Sequence, residues 1–356
     1  MTAPALGIIE GYYGRPWPWT TRRGVTTLLA EHGYTFYHYA PKSDPHVREQ
    51  WREPWPSQEV AALTSFADHC RACGMRFGIG LSPAGLQSDQ GQDGLARLLQ
   101  RVQQINHIGA DDLLLLFDDI AGDDGDSLAL RQADLAHRVA DTTHAERLFV
   151  CPTYYSDDPL LDHLFGRRPA NYLQRLGERL DPAVSVYWAG EEICPAEITP
   201  GSVAGVTDQL GRRPVLWDNY PVNDGGTARD HLHLRGFTGR SAALAGATGG
   251  HAINPALQGW LSCIPALTLP ASYRDGEDYR YGHAQQQAAK AVLGPELGEF
   301  VLDDLPLLAD RGRDRLTGTQ RSTLLARYQA FDHPGAREIV DWLNGEATDE
   351  TAPTGA

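Results

Sequence analysis

The sequence predicts an α/β protein, a (β/α)8 TIM barrel with a C-terminal helical extension. Three observations point there. Short apolar runs alternate with helical segments along residues 1–278. The most apolar run, Leu113-Leu-Leu-Leu-Phe117, shows no polar alternation, as expected of a strand buried on both faces of a parallel sheet. Acidic, amide and aromatic residues collect where the runs end, and a barrel of this kind carries its site at the C-terminal ends of its strands. A doubly wound open sheet is the competing arrangement. No GxGxxG follows a strand and no GxxxxGKS/T occurs, so nothing points to a nucleotide fold.

The elements follow in order. Leu6–Gly11 reads as the first strand, broken by the turn cluster Gly11-Tyr-Tyr-Gly-Arg-Pro16. A helix spans Thr20–His32, with Thr20 or Thr21 as its cap and Gly33 just past its end. Tyr34–Tyr39, rich in aromatic and β-branched residues, is the second strand. Ser57 caps a helix that runs to Gly74, and Met75–Leu81 is the third strand. Gly94–Ile108 is a helix with its leucines on one face. The fourth strand begins at Asp112 and runs straight into Asp118 and Asp119. Asp126–Thr143 is helical, and Arg147–Cys151 is the fifth strand. Pro169–Leu180 is a helix with proline in its first turn. Val184–Trp188 is the sixth strand, Pro200–Leu210 a helix, Pro214–Asp218 the seventh strand and Gly249–Asn254 the eighth. Residues 279–343 read as helices without strands, packed on the barrel. Residues 344–356 lack apolar anchors and are expected to be disordered.

Composition narrows the function. The chain of 356 residues has a formal net charge of -15 and no basic block, which argues against nucleic acid and anionic membrane as partners. No apolar run is long enough to span a bilayer. The opening residues lack the cationic segment of a secretory leader, and five scattered cysteines do not make a disulfide framework; both suit a cytoplasmic protein. Cys70 and Cys73 form a CxxC without a second pair or histidines at zinc spacing, so neither metal nor cofactor is expected. No GxSxG elbow is present.

The chemistry therefore rests on the strand ends. The first strand ends at Glu10, Gly11, Tyr12 and Tyr13, and the second brings Lys42 and Asp44. The fourth brings Asp118 and Asp119, the fifth Tyr154 and Tyr155, the sixth Trp188. The seventh brings Trp217, Asp218, Asn219, Tyr220, Asn223 and Asp224, and the eighth Asn254. Singly, each has a duller reading as a core aromatic, a turn residue or a solvated charge. Jointly they suit a sugar: aromatic faces stack on a pyranose, and carboxylates and amides bond its hydroxyls. Adjacent carboxylates at one mouth also suit a division between an anion and a proton donor. Consecutive strand residues point to opposite faces, so the strand is expected to twist or bulge at Asp118-Asp119 for both to reach one sugar.

Six motifs carry a family resemblance. They are Glu10-Gly-Tyr-Tyr-Gly-Arg-Pro-Trp17; Tyr39-Ala-Pro-Lys42 with Asp44-Pro45 and Trp51-Arg52; Leu81-Ser-Pro83; Phe117-Asp-Asp-Ile120; Cys151-Pro-Thr with Tyr155; and Leu216-Trp-Asp-Asn219 with Asn223-Asp224. In that order they resemble the catalytic domain of the O-GlcNAcase-like β-N-acetylglucosaminidases, glycoside hydrolase family 84. The resemblance implies a barrel that removes terminal β-linked N-acetylglucosamine with retention, from a glycan, glycopeptide or small glycoside. It implies substrate-assisted catalysis through an oxazoline, without an enzyme nucleophile. On this resemblance Asp118 orients the acetamido N–H, and Asp119 is general acid and then base. Tyr155, Trp217 and Asn219 serve the acetamido pocket, while Gly11, Lys42, Asp224 and Asn254 bind hydroxyls. The chain departs from the family pattern after Trp188, where it reads Ala-Gly-Glu-Glu192, and after Asn254-Pro255, where Ala-Leu-Gln258 lacks the usual acid. Both departures bear on the aglycone side. A non-catalytic N-acetylglucosamine-binding barrel, and a hexosaminidase acting on chitin or cell-wall fragments, are the alternatives. A lectin needs no proton donor, and the DxxDxDxE of chitinases is absent.

Overall fold

The computed structural model describes residues 3–86, 92–120 and 125–346. Among them, eight parallel strands close a barrel in chain order. They are β1 Leu6–Glu10, β2 Tyr34–Tyr39, β3 Arg76–Leu81, β4 Asp112–Leu116, β5 Arg147–Cys151, β6 Ser185–Trp188, β7 Val215–Asp218 and β8 Gly250–Ile253. The predicted barrel is therefore the observed one. The helices between the strands are α1 Trp19–Glu31, α2 Ser57–Ala72, α3 Gln92–Ile108, α4 Leu128–Ala140, α5 Pro159–Phe165, α6 Tyr172–Arg179, α7 Pro200–Leu210 and α8 Leu244–Ala247. α9 Gly259–Asp275 follows β8.

Side-chain alternation divides the core into two layers. Ile9, Phe36, Leu114, Leu116, Phe149, Tyr187, Trp217 and Ala252 fill the barrel interior. Ile8, Tyr37, Leu113, Leu115 and Val186 face the helices. Buried carboxylates gather ion clusters in both layers. Inside the barrel, at the N-terminal end of β4, Asp112 accepts from Arg76 at 2.8 Å, Arg147 at 2.8 Å and His38 at 3.1 Å. Between sheet and helices, Glu10 accepts from Arg22 at 2.9 Å, Tyr12 at 2.9 Å and Tyr37 at 2.7 Å.

Some local expectations are corrected. α1 begins at Trp19 with no side-chain cap, so Thr20 and Thr21 lie inside its first turn, and α2 likewise starts at Ser57 itself after Pro56, with no side-chain cap. The helix expected over Pro169–Leu180 is α6, which starts only at Tyr172 after Asn171 at φ 56°, and α5, capped by Asp158, is an additional helix that the sequence reading lacks. α9 was not expected, because Pro265 and Pro270 lie inside it. Burial overrides that local cost. α9 is enclosed along most of its length, and the Tyr34 hydroxyl donates at 2.8 Å to the Ala266 carbonyl, which Pro270 cannot serve.

Beyond the barrel lie α10 Tyr281–Leu293 and α11 Pro295–Asp303, a π-helical turn at Pro306–Arg311, α12 Gly318–Tyr328 and α13 Pro334–Asn344. The helical path thus breaks at Asp303 and resumes in a wider turn. α10 packs on α9 and α11. Glu338 of α13 accepts the backbone N–H groups of Trp260 and Leu261, each at 3.0 Å, which satisfies two orphan donors at the start of α9. Of the expected disordered tail, residues 347–356 fall outside the described residues, while Asn344 completes α13. Among the described residues no helix is long and apolar enough to cross a membrane, and no cluster of three or more His, Cys, Asp or Glu could hold a metal ion.

Candidate active site

A cavity of about 450 Å³ opens at the C-terminal ends of the strands. Gly11, Asp118, Asp119, Tyr155, Trp217, Asn219, Asp224 and Asn254 all line it. Its two carboxylates arrive there by different routes. Asp118 continues the inward series of Leu114 and Leu116, and it is buried. The same alternation would send Asp119 outward. β4 stops at Leu116, however, and Asp119 takes φ 56°, a left-handed conformation costing a non-glycine residue roughly 1–2 kcal/mol. That turn returns its carboxylate to the mouth. The expected irregularity is therefore a strand end followed by a strained residue rather than a bulge.

The turn is held from both sides. Arg48 donates to the carbonyls of Asp118 at 3.3 Å and Asp119 at 2.6 Å. Thr153 Oγ1 donates to the Phe117 carbonyl at 3.1 Å. Lys42 Nζ donates to Asp118 Oδ2, and both groups are buried, so each charge compensates the other. Lys42 itself does not line the cavity. The other carboxylate oxygen, Asp118 Oδ1, is a buried acceptor with no hydrogen-bond partner. The adjoining Cys151 is a weak donor at best; burial and the Asp118 charge push its thiol up.

Asp119 is half-buried, nearer the opening. Its Oδ2 accepts from the Tyr13 hydroxyl at 2.8 Å and its Oδ1 from the Tyr155 hydroxyl at 3.2 Å. Burial, reinforced by the neighbouring aspartates, pushes both phenols up, so they stay protonated donors. The opposite wall is a chain of amides. Gly11 N–H donates to Asn254 Oδ1 at 3.1 Å, and Asn254 Nδ2 donates to Asn219 Oδ1 at 2.9 Å. Trp217 Nε1 donates to the same Asn219 oxygen at 2.9 Å, and Asn219 Nδ2 to the Ile193 carbonyl at 2.8 Å. Only glycine fits at position 11, since a Cβ there would stand 2.2 Å from the Trp217 ring. Asp224 accepts the Tyr13 backbone N–H at 2.6 Å, and burial pushes its carboxyl up.

The remaining strand-end residues turn away from this cavity. Asp218 pairs with Arg240 at 2.7 Å and His251 at 2.9 Å outside the barrel. Burial opposes its charge, but Arg240 and His251 hold its carboxyl down at about 2. Asp44 accepts from Tyr39 at 2.8 Å and Trp55 at 3.0 Å, fastening its own loop. Tyr154 bonds the Gly166 carbonyl at 2.7 Å, and Asn223 bonds that of His231 at 3.0 Å. Glu10 belongs to the Arg22 cluster, and Trp188 to the core. Conversely, Tyr13 and Arg48 act on the aspartates although the resemblance assigns a role to neither. Tyr13 sits in a visible motif; Arg48 lies in a loop with no sequence signal. Leu160, Leu164, Ile193 and Cys194 also line the cavity unannounced, beside Glu192 of the departing Ala-Gly-Glu-Glu stretch.

A closed (β/α)8 barrel with a paired-carboxylate, amide-walled mouth has the architecture of a glycoside hydrolase. The model of the β-N-acetylglucosaminidase family matches residues 6–304, and the chain belongs to that family of glycoside hydrolases. It is similar to the protein O-GlcNAcases of Mus musculus and Rattus norvegicus, each 29% identical over 276 residues, covering 75% of this chain and 30% of theirs. The chain thus spans about 30% of the length of these relatives. A mutant O-GlcNAc hydrolase of Thermobaculum terrenum is similar in structure, with a TM-score of 0.77 and 26% identity, over 95% of this chain and 80% of that one.

Proposed function

We propose that the protein is a retaining exo-β-N-acetylglucosaminidase acting on terminal β-linked N-acetylglucosamine of the kind carried on serine or threonine. The observation that carries this reading is the unequal environment of the two aspartates. Asp118 presents a buried, unpartnered acceptor beside a lysine counter-charge, and a substrate acetamido N–H would supply the missing donor. Held by that bond, the acetamido carbonyl oxygen attacks the anomeric carbon. The glycosidic C–O bond breaks, and the half-buried Asp119 gives its proton to the leaving oxygen. The oxazoline that results, still protonated on nitrogen and held there by Asp118, is opened when Asp119 takes a proton from water and the hydroxide adds to the anomeric carbon. Two inversions give net retention. The products are N-acetylglucosamine and the free alcohol, and Asp119 is reprotonated. Tyr13 and Tyr155, which bond Asp119, orient it toward the leaving oxygen. Asn219, Asn254, Asp224 and the Gly11 backbone hold the sugar, and Trp217 walls the acetamido group. Lys42 serves first as counter-charge to Asp118 and through it the acetamido contact. Family membership and the likeness to O-GlcNAc hydrolases support this reading.

The test compares aryl and alkyl β-N-acetylglucosaminides. Asp119→Asn should spare aryl substrates and lose the alkyl ones by about 10²-fold or more, because only a poor leaving group needs the proton. Asp118→Asn should lose both, since acetamido attack precedes departure in either case. Equal losses on both substrates for Asp119→Asn would remove the acid assignment. Absence of turnover by the folded wild type would remove the enzyme reading and leave a sugar-binding barrel.

A further inference from the structure

We infer that the cavity carries, beside the sugar site, a preformed apolar subsite for the aglycone, suited to a leaving group that bears an alkyl, aryl or aliphatic side chain. The inference rests on the glycosidase reading above. Among the described residues three large apolar side chains are exposed: Leu130 at 45%, Leu160 at 37% and Leu164 at 39%. A single exposed leucine needs no explanation, but two together at the lip of a cavity do. Leu160 and Leu164 lie one turn apart on α5, so they share a face, and both line the cavity. Ile193, after β6, and Val222, after β7, extend the apolar lining.

The position of this surface identifies its ligand. The amides and carboxylate proposed to hold the sugar come from the ends of β1, β7 and β8. Strand order sets β5, which leads into α5, beside β4 and across the barrel from β1 and β8. The leucines therefore stand on the side of Asp119, where the glycosidic oxygen takes its proton, and across the mouth from Gly11 and Asn254. Whatever is attached to that oxygen leaves along them.

The subsite is also rigid. Asp158 Oδ1 accepts the Leu160 N–H at 2.9 Å, and its Oδ2 accepts the Ile193 N–H at 3.2 Å. One carboxylate thus fastens both apolar walls to each other. Asn219 Nδ2 holds the Ile193 carbonyl from the sugar side. Binding need not first order a loop, so apolar burial appears as affinity.

The experiment measures kcat/KM for hexyl and methyl β-N-acetylglucosaminides, whose alcohols depart with near-equal ease. The wild type should favour hexyl by about tenfold, mainly through KM. Leu160→Ser combined with Leu164→Ser should bring the ratio close to one. Leu130→Ser, the exposed leucine elsewhere, should leave the ratio as in wild type. A wild-type ratio near one, or a ratio that the double variant does not lower, overturns the subsite while leaving the glycosidase intact. Hydrolysis of neither glycoside overturns the glycosidase reading, and the subsite with it.

Discussion

Asp119 occupies a left-handed backbone conformation that residues with a Cβ seldom adopt, and the loop residue Arg48 stabilises it through the carbonyls of Asp118 and Asp119. Without those bonds the strained turn can relax toward the extended path that points Asp119 outward. Arg48→Met should therefore lower kcat about 10-fold to 10²-fold with little change in KM, and the loss should be greater on alkyl than on aryl glycosides. A uniform loss on both, or a lower Tm with kcat intact, would assign Arg48 a purely structural role. None of this was visible in the sequence. The Asp118-Asp119 pair announces itself by following an apolar run, but the residue that aims it lies in a loop 70 positions away from Asp118 and has no pattern of its own.

At the scale of the strand, β4 carries acids at both ends of one inward series, and burial gives them opposite roles. Asp118 lies at the C-terminal end, among cavity residues. Asp112 lies at the N-terminal end, fully buried among Arg76, Arg147 and His38. Despite burial, which opposes its charge, hydrogen bonds from His38, Arg147 and Arg76 hold its carboxyl well below the usual range. Asp112→Ala should cost about 1–3 kcal/mol in denaturant unfolding, because the buried His38 Nε2 loses its partner and Arg147 its carboxylate, while Arg76 keeps Glu146 and the Asp111 carbonyl. The affinity for a sugar-site inhibitor should remain, since the cluster lies at the far end of the barrel. Retained stability would show that water replaces the carboxylate without penalty. Strand existence and order could be read from the chain because each strand is a compact apolar run. Helices fared less well where tertiary burial outweighed local preference. α9 carries two prolines, and only the Tyr34 hydroxyl and enclosure by the fold explain its survival.

On the scale of the whole molecule, the C-terminal helices brace the barrel mouth. Trp342 Nε1 donates to the Arg229 carbonyl at 3.1 Å, and Arg313 donates to Asp230 at 2.9 Å. Arg229 in turn donates to the carbonyl of the cavity residue Asp224 at 2.8 Å. The same helices cap α9 through Glu338, whose carboxyl burial pushes up to about 7, outweighing two backbone N–H bonds. A carboxyl with a raised folded pKa stabilises fully below its unfolded pKa, and that contribution is lost as pH rises through the folded value. Stability should therefore fall from about pH 4.5 to about pH 7 by more in the wild type than in Glu338→Gln, which keeps an acceptor and does not titrate. Parallel pH profiles for the two proteins would contradict the assignment.

The barrel, the adjacent aspartates at a strand end and the family are legible in the chain, because these reside in local runs and short motifs. Which strand-end residues line the cavity emerges only on folding. Glu10 and Asp218 stand at strand ends as Asp118 does, yet both turn outward to arginines on other elements. The reason is physical: a side chain's face follows from strand phase, which a motif can suggest, but its partner is chosen by what the closed barrel brings alongside. The apolar lip formed by Leu160 and Leu164 is likewise invisible before folding, since its meaning comes from the cavity beside it.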